Sequence, residues 1–514
     1  MRFVGISDFH IGGKFNEKMF KKGIDFVNNT DADYVILGGD ITDSGTVANY
    51  ELAKEMLKEI KKPYLMVPGN HDSKNVGDLL WEEIFGPRYF VEINNEKKVK
   101  ILGLDSSEPD QDTGRLDSKA IERIYLEFRD LDDSWLKVLV YHHQTLPIPY
   151  TGRERSALID AGDAIKAILD CNINLVFNGH RHISNTFRLS DGDDISSLIV
   201  NMGTLSCLKT RYREEYSLMV LDIDAKQRNA SVSVHLLNSM DNHINKLNFK
   251  NLQGIPKPKT KDLIATIVQI GTTDFSESKF NLNMFAKGVK SINNIKCDLV
   301  VHCGNITGES WLSEFKNAKV MLQQISRPMI ILPGPQDTKP LGYELFSNYI
   351  GDMNPIFENE TLCFLGFNSC LLDDVSGRLG RSNSKLIEEK MSTSNKLNIV
   401  AFHHTIIPLP RTRHEAELSD AGDVLAMLTR NKVDLVLTGA KNKPATWQVN
   451  DTVFVNTGTI SSYNINTSSG NSFNIVSIYQ TEKGRYYEID EVLLSTEQAR
   501  RIGAYHIPGK AVDI

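Results

Sequence analysis

The second half of this 514-residue chain repeats short motifs of the first half, in the same order and at one constant spacing. The repeated motifs are Lys14–Asn16 with Lys279–Asn281, Gly39–Thr42 with Gly304–Thr307, and Pro68–Gly69 with Pro333–Gly334. A fixed long spacing between related segments is the sequence signature of duplicated structural units. The chain also exceeds the length at which a single hydrophobic core stops growing. We therefore predict two copies of one fold.

Short apolar runs rich in β-branched residues recur through the first half and end in polar or glycine-containing motifs. They cover residues 3–6, 34–37, 64–67, 138–141, 175–177 and 198–200. Runs of this kind predict buried strands. Stretches with helical spacing separate the first three runs, which predicts a largely parallel sheet covered by helices. We expect an α/β fold class.

A polar segment that contains two prolines separates two halves of similar length. Composition of this kind is typical of a linker. We predict a first domain at residues 1–250, a linker at 251–262 and a second domain at 263–490. Residues 491–514 match nothing in the first half, and we treat them as a C-terminal tail.

Composition limits the class of protein and its partners. The hydrophobic fraction of 41%, the charged fraction of 24% and the net charge of −7 describe a globular protein, and no apolar run approaches the roughly 18 residues of a membrane span. A negative chain without a basic block also argues against extended duplex binding, because such binding neutralises many phosphates. We expect a small substrate, no membrane association and no nucleic-acid partner.

The expected location is the cytoplasm. The first strand-like run begins at the start of the given sequence, and we expect no secretory signal before it. The six cysteines form no Cys-x-x-Cys pair, and we interpret them as reduced thiols.

Acidic, imidazole and amide side chains follow the predicted strands. They are Asp8 with His10, Asp40, Asn70 with His71 and Asp72, His142 with His143, and His180 with His182. Because ligands of parallel sheets gather at the carboxyl ends of the strands, we expect these side chains to lie together. A mixed set of oxygen and nitrogen donors suits Mn, Fe, Zn or Ni. The sequence predicts a metal site.

These motifs, in this order, resemble those of the calcineurin-like metallophosphoesterases, most closely the branch of cyclic-nucleotide and glycerophosphodiester phosphodiesterases. The resemblance implies two tandem domains, each a two-sheet β-sandwich with mixed or parallel strands flanked by helices. It also implies two metal ions. Asp8, His10, Asp40 and His182 would hold one ion, and Asp40, Asn70, His142 and His180 would hold the other, so that Asp40 bridges them.

The function that the resemblance implies is hydrolysis of a small phosphodiester by a hydroxide that the two ions activate. His71 would lie outside the metal shell, where it donates to a phosphoryl oxygen or protonates the leaving alkoxide. Asp72 would orient His71, or it is a turn residue. A phosphomonoesterase or protein phosphatase with the same site is the nearest alternative, followed by a DNA nuclease and a non-enzymatic scaffold.

The second half keeps little of this site. At the eight site positions other than Asp72 and His143, alignment by sequence retains only Asp274 for Asp8 and His403 for His142. The other six positions hold Ser276, Asn305, Pro335, Gln336, Ala440 and Asn442. Loss of the bridging carboxylate and of the imidazoles of His180 and His182 predicts a catalytically silent domain. We expect it to pack on the first domain as an intrachain partner. Because phosphodiesterases of this branch often act as oligomers, the resemblance also allows a homo-oligomer.

Overall fold

The computed structural model describes residues 1–151, 157–192, 196–211, 214–224, 229–239, 247–249, 258–372, 374–412, 417–465 and 467–508. Contacts divide the chain into two compact units. Residues 1–189 with 195–254 form unit 1, and residues 190–194 with 255–514 form unit 2. Of the predicted linker, residues 251–257 lie outside the described residues.

Unit 1 alternates strands and helices through most of its length. Its strands are β1 (Arg2–Ile6), β2 (Tyr34–Leu37), β3 (Tyr64–Met66), β4 (Phe90–Asn94), β5 (Val99–Gly103), β6 (Leu136–Val140), β7 (Leu175–Asn178), β8 (Asn185–Ser190), β9 (Ser197–Asn201), β10 (Ser217–Asp224), β11 (Asn229–Leu236) and β12 (Leu247–Phe249). Its helices are α1 (Glu17–Asn29), α2 (Val47–Leu57), α3 (Gly77–Ile84), α4 (Ser118–Phe128) and α5 (Ala161–Asp170).

The strands of unit 1 form two sheets. One has the order β12-β11-β10-β1-β2-β3, in which β1, β2 and β3 are parallel and β10 to β12 are antiparallel. The other has the order β8-β9-β7-β6-β5-β4, with β5, β6, β7 and β9 parallel. Loops after the parallel strands therefore come together at the carboxyl ends of each sheet.

Unit 2 is built from the same kinds of element. Its strands are β13 (Asp262–Ile270), β14 (Leu299–His302), β15 (Met329–Ile331), β16 (Ile356–Glu358), β17 (Leu362–Gly366), β18 (Cys370–Leu371), β19 (Asp374–Gly377), β20 (Leu397–Ala401), β21 (Leu435–Thr438), β22 (Ala445–Val449), β23 (Thr452–Asn456), β24 (Ser472–Thr481), β25 (Gly484–Leu493) and β26 (Gln498–Pro508). Its helices are α6 (Leu282–Asn294), α7 (Leu312–Leu322), α8 (Gly342–Tyr349), α9 (Arg381–Met391) and α10 (Ala421–Arg430). Among the described residues, no helix of the chain is long and apolar enough to cross a bilayer.

The two sheets of unit 2 have the strand order of those in unit 1. Its first sheet runs β26-β25-β24-β13-β14-β15 and its second runs β22-β23-β21-β20-β17-β16. Each strand of these two sheets therefore has a counterpart in unit 1. Among the described residues of unit 2, only the strands of the short β18–β19 pair lie outside the two sheets. The predicted fold class, two tandem α/β domains with two sheets each, is confirmed.

In each unit, successive side chains of the central strands pack into two hydrophobic core layers. In β1, Phe3 belongs to the cluster that holds residues of both sheets, whereas Val4 and Ile6 pack with helix residues such as Phe20 of α1. Successive side chains of a strand point to opposite faces, so one strand serves both layers. The corresponding strand β13 divides its apolar side chains between two clusters in the same way.

The repeated Lys-Phe-Asn motif begins a helix in both units. The side chain of Asn16 accepts from Met19 N at the start of α1, and that of Asn281 accepts from Met284 N at the start of α6, both at 3.2 Å. An N-cap oxygen satisfies an amide that has no partner inside the helix. The repeat thus preserves a helix start rather than a functional group.

The segment set apart as a tail is part of unit 2. Its first residues end β25, and residues 498–508 form the edge strand β26, which pairs with β25 along its length. By strand order these strands are the counterparts of β11 and β12 in unit 1. The tail boundary at residue 490 is therefore corrected. Residues 509–514 lie outside the described residues.

Candidate metal centre

The predicted site residues of unit 1 lie in the loops after five parallel strands. Those on the first sheet follow β1, β2 and β3, and those on the second follow β6 and β7. The seven predicted metal ligands all lie within one network of short contacts: Asp8, His10, Asp40, Asn70, His142, His180 and His182. All but His180 are buried. A sixth strand, β9, leads to Cys207, which also reaches this network.

The backbone at these residues is unusual. Asp8, His10, Asp40, His180 and His182 all have positive φ angles, between 52° and 77°. Non-glycine residues adopt this left-handed region rarely, at a cost of roughly 1–3 kcal/mol each, and such strain clusters at functional sites. Hydrogen bonds between the loops hold it in place, such as that from Asp8 N to Gly39 O at 3.0 Å.

Two imidazoles face each other at one end of the network. His10 Nε2 and His182 Nε2 are 3.2 Å apart, and His182 Nε2 is 3.3 Å from Asp8 Oδ1. Their other nitrogens are already engaged, because His10 Nδ1 contacts Asp43 Oδ1 at 3.0 Å and His182 Nδ1 donates to Lys209 O at 2.6 Å. A second nitrogen fixed by an acceptor is the usual arrangement of a metal-binding histidine.

A second group lies on the other side of Asp40. His142 donates from Nδ1 to Gly38 O at 2.7 Å, and its buried Nε2 has no hydrogen-bond partner and lies 3.3 Å from Asp40 Oδ2. His180 Nδ1 is 2.9 Å from Asn70 Oδ1. Buried polar atoms are normally hydrogen-bonded, so an unpartnered Nε2 aimed at a carboxylate calls for a cation.

Asp40 lies between the two groups. Its Oδ2 is 3.6 Å from His10 Nε2 and 3.3 Å from His142 Nε2, while its Oδ1 accepts from His71 N at 2.8 Å. Nitrogen and oxygen donor atoms face one another around the shared Asp40 carboxylate, an arrangement that fits a pair of divalent cations. The residues present therefore fit the metal ions that the sequence pattern predicts.

Charge balance supports the same interpretation. Burial opposes the charged forms, yet the Asp40 carboxylate raises the pKa of His142 to about 9, and Asp8 raises the pKa of His182 to about 9. Against its own burial, the surrounding imidazoles hold the pKa of Asp40 well below its usual range. These carboxylates thus stabilise the protonated forms of the histidines where no cation is present. Metal binding would release those protons.

His71 lies at the more exposed side of the network. Its ring centroid is 4.4 Å from that of His10, its Nδ1 donates to Asp43 O, and its Nε2 is 3.3 Å from Lys74 Nζ. Burial lowers the pKa of His71, although the nearby Asp40 opposes this. His71 Nε2 is thus directed away from the Asp43 carbonyl that fixes its ring.

Asp72 does not contact the His71 ring. Its carboxylate accepts from Ile41 N at 3.1 Å, Thr42 N at 2.7 Å, Thr42 Oγ1 at 2.9 Å and Gly69 N at 2.9 Å. Burial raises its pKa to about 6. The prediction that Asp72 orients His71 is wrong: the carboxylate turns inward and joins the loops after β2 and β3. The carbonyl of Asp43 fixes His71 instead.

Of the adjacent pair His142 and His143, the first faces Asp40, as the sequence predicts. His143 Nδ1 contacts Ser106 Oγ at 2.9 Å, and burial lowers its pKa to about 3. The corresponding pair in unit 2, His404 and Ser369, has the same contact at 2.8 Å. His143 therefore belongs to the shared frame.

Comparison with known proteins agrees with this geometry. Residues 1–184 match the family model of the calcineurin-like phosphoesterases. A probable glycerophosphodiester phosphodiesterase of Arcobacter nitrofigilis is 30% identical over 181 residues, which cover 30% of this chain and 65% of that protein. A probable cyclic nucleotide phosphodiesterase of Vesicomyosocius okutanii is 25% identical over 193 residues, 36% of this chain and 80% of that protein. Unit 1 therefore resembles a calcineurin-like phosphoesterase domain over residues 1–184.

Among solved structures, a purple acid phosphatase from yellow lupin aligns over 56% of this chain and 59% of its own. Its identity is 13% and its TM-score is 0.35, too low to support a conclusion.

Two residues of unit 1 that contact this site were not predicted from the sequence. Asp43 contacts His10. Cys207 Sγ and one ring nitrogen each of His10 and His182 lie within 4.8 Å of one another, and the two histidines lower the pKa of the Cys207 thiol to about 6 against the effect of burial. A comparison of the two units points to both residues, because unit 2 has a different residue at each position. Gly308 stands at the position of Asp43, and Ser462 at that of Cys207.

Backbone hydrogen bonds also revise the alignment of the two units. His10 N donates to Asp40 O at 3.0 Å, and Asp274 N donates to Asn305 O at 3.2 Å. Because Asn305 corresponds to Asp40, Asp274 occupies the position of His10. The predicted equivalence of Asp274 with Asp8 is wrong.

A second pair of bonds identifies the counterpart of Asp8. Thr204 Oγ1 donates to Asp8 O at 2.6 Å, and Thr459 Oγ1 donates to Thr272 O at 2.7 Å. Unit 2 therefore has Thr272 where unit 1 has Asp8. Of the predicted metal-binding and catalytic residues, only His142 and Asp72 keep their identity there, as His403 and Asp337.

Proposed function

We propose that unit 1 is a two-metal phosphodiesterase that hydrolyses a small phosphodiester, of the cyclic-nucleotide or glycerophosphodiester type. The observation that carries this proposal is the position of Asp40 Oδ2, 3.6 Å from His10 Nε2 and 3.3 Å from His142 Nε2. One carboxylate oxygen can thereby serve two ions, as two-metal phosphoryl chemistry requires. The names of the two phosphodiesterase relatives support the choice of a diester.

The donor set assigns residues to each ion. Asp8, His10, Asp40 and His182 would hold one, and Asp40, Asn70, His142 and His180 would hold the other. Such a set of nitrogen and oxygen donors accommodates Mn, Fe, Zn or Ni. When bound, a pair of ions lowers the pKa of water and stabilises the charge that develops on phosphoryl oxygens.

The side chains of the chain then position the reaction. Asn70 Nδ2 donates to Asp112 Oδ1 at 3.3 Å, which turns the Asn70 carbonyl oxygen toward His180. The carbonyl oxygens of Gly38 and Lys209 keep the Nε2 atoms of His142 and His182 free of protons when these rings are neutral. The ligands are thus oriented before any substrate arrives, which spares reorganisation in the transition state.

His71 is the proposed proton donor to the leaving oxygen. Its Nδ1 proton is held by the Asp43 carbonyl, so Nε2 is the atom that gains and loses the proton. Burial lowers the pKa of His71, which makes its imidazolium a stronger acid. Lys74, 3.3 Å from both His71 Nε2 and Asp112 Oδ1, adds a cation where an anionic substrate would approach.

We propose that unit 2 is catalytically silent. The position of Asp40 holds Asn305, that of His71 holds Gln336, and those of His180 and His182 hold Ala440 and Asn442. Asn442 Nδ2 donates to Asn464 O at 3.0 Å, so the side chain has become part of the loop frame. Neutral amides and an alanine give too few donors for a pair of cations.

The test is a substrate comparison with the metal content measured in the same samples. We expect the Mn²⁺- or Zn²⁺-loaded chain to hydrolyse bis(p-nitrophenyl) phosphate in preference to p-nitrophenyl phosphate, and then to accept cyclic nucleotides or glycerophosphodiesters. A strong preference for the monoester would make the chain a phosphomonoesterase. Bound metal without turnover of any ester would support the scaffold alternative.

A further inference from the structure

The thiol of Cys207 lies beside the two histidines of the first metal position. The Cys207 Sγ atom and one ring nitrogen each of His10 and His182 all lie within 4.8 Å of one another. The residue is 1% exposed. Within the described part of the chain, which includes all six cysteines, no other thiol belongs to such a group of metal donors.

The segment that carries Cys207 is fixed to the ligand loops at several points. Cys207 N donates to Thr204 Oγ1 at 2.8 Å, and the same hydroxyl donates to Asp8 O at 2.6 Å. Phe15 and Cys207 form an isolated antiparallel bridge. Further along, Lys209 O accepts from His182 Nδ1. The loop therefore places the thiol by the same contacts that orient two of the metal ligands.

Unit 2 shows that these two positions face each other whatever residues occupy them. Ser462, the counterpart of Cys207, donates from Oγ to Asp274 Oδ2 at 2.5 Å, and Asp274 is the counterpart of His10. In unit 2 the pair makes an ordinary hydrogen bond. In unit 1 both members of the pair carry possible metal-donor atoms, and the Nε2 atoms of His10 and His182 lie 3.2 Å apart.

We propose that Cys207 is an additional ligand of the metal ion that Asp8, His10, Asp40 and His182 would hold. The inference rests on the proposed function in that it requires unit 1 to bind metal. A thiolate ligand makes this position softer than a set of only nitrogen and oxygen donors. The first position should therefore favour Zn²⁺, Fe²⁺ or Co²⁺ over Mn²⁺.

X-ray absorption of the Zn²⁺-loaded full chain tests this proposal without an activity assay. A sulfur ligand scatters at about 2.3 Å from zinc, whereas nitrogen and oxygen lie at about 2.0–2.2 Å. The test variant is Cys207→Ser, which introduces the residue found at the same position of unit 2. The control is Cys171→Ser, a buried thiol at the end of α5 whose Sγ contacts Ile124 O.

We expect a sulfur shell in the wild type and in Cys171→Ser, and its loss in Cys207→Ser. The Zn²⁺ affinity of Cys207→Ser should fall by at least ~10-fold, with a smaller change for Mn²⁺. A sulfur shell that persists in Cys207→Ser, or is absent from a wild type that binds two ions and hydrolyses diesters, would overturn the inference and leave the proposed function intact. Failure of the wild type to bind metal would overturn both.

Discussion

In unit 1 the loops after the parallel strands present several carboxylates and imidazoles that face one another. In unit 2 the same loops keep one carboxylate, Asp274, and one imidazole, His403, and otherwise present amides, a threonine, a proline and an alanine. The frame beneath them is nevertheless the same. Asp72 and Asp337 accept equivalent hydrogen bonds, and His142 and His403 both donate from Nδ1 to a carbonyl oxygen at 2.7 Å. The hydrogen bonds that hold these loops therefore persist without the metal-donor side chains, so they cannot by themselves identify a catalytic site.

The strained backbone follows the same rule. Asp40 and its counterpart Asn305 have φ angles of 52° and 58°, and His182 and Asn442 have φ angles of 58° and 50°. Aspartate and asparagine tolerate the left-handed region better than most residues. The fold imposes this conformation in both units, and in unit 1 it also aims metal donors. Side-chain identity, rather than backbone geometry, separates the two.

The largest expected effect comes from exchanging the residue that lies between the two proposed ions. Asp40→Asn installs the side chain of Asn305 and removes the shared carboxylate. We expect loss of bound metal and a fall in diesterase turnover of about a thousandfold, because bound ions contribute several kcal/mol to transition-state stabilisation. The control Asn305→Asp should leave both quantities unchanged. Wild-type turnover in Asp40→Asn would contradict the bridging role.

Removal of the proposed proton donor should reduce turnover and spare the metals. His71→Ala should lower kcat by at least ~100-fold, the usual scale for loss of a general acid, with metal content unchanged. Gln336→Ala removes the counterpart in unit 2 and should change neither. Equal effects of the two variants on kcat would show that unit 2 is not silent.

Asp43 offers a finer distinction. Asp43→Ala removes the carboxylate that contacts His10 Nδ1 but keeps the backbone carbonyl that accepts from His71 Nδ1. We expect metal affinity to fall about 10–100-fold, as is typical when a partner of a ligating histidine is lost. At saturating metal, kcat should largely recover. A kcat that stays low at full metal occupancy would instead assign Asp43 a role in the chemical step.

Asp72 and Asp337 should behave alike. Asp72→Asn and Asp337→Asn each leave a buried backbone donor without its carboxylate partner, which should lower the free energy of unfolding of the affected unit by about 1–3 kcal/mol. Thermal denaturation checks the matched loss of stability. A selective loss of kcat in Asp72→Asn, with its stability unchanged, would restore the catalytic role that the sequence suggested.

The sequence predicted the fold, and it predicted that these polar side chains lie together, because both depend on local patterns. Apolar runs of β-branched residues define strands, and a polar residue directly after a strand must lie at its carboxyl end. Asp8, Asp40 and His142 follow this rule. Asp43 and Cys207 do not stand in such a motif. Their contacts with His10 depend on how three loops converge, which the order of residues does not state.

Other errors have equally specific causes. Asp72 is adjacent to His71 in sequence, but the turn after β3 directs the two side chains apart, toward Thr42 and Asp43 respectively. Asp274 matches Asp8 by residue type, whereas the hydrogen bond from its backbone N to Asn305 O places it at the position of His10. The strands β25 and β26 share no motif with β11 and β12, because outer strands need only an alternating pattern to pair.

The most direct test of the contrast between the units is the number of metal ions per chain. Elemental analysis of the chain after metal loading and dialysis should give two ions for the wild type, as a single two-metal site requires. It should give no change for Asn305→Asp or Gln336→Ala, and a near-complete loss for Asp40→Asn. Two ions that persist in Asp40→Asn, or four ions in the wild type, would contradict the assignment of the metal centre to unit 1 alone.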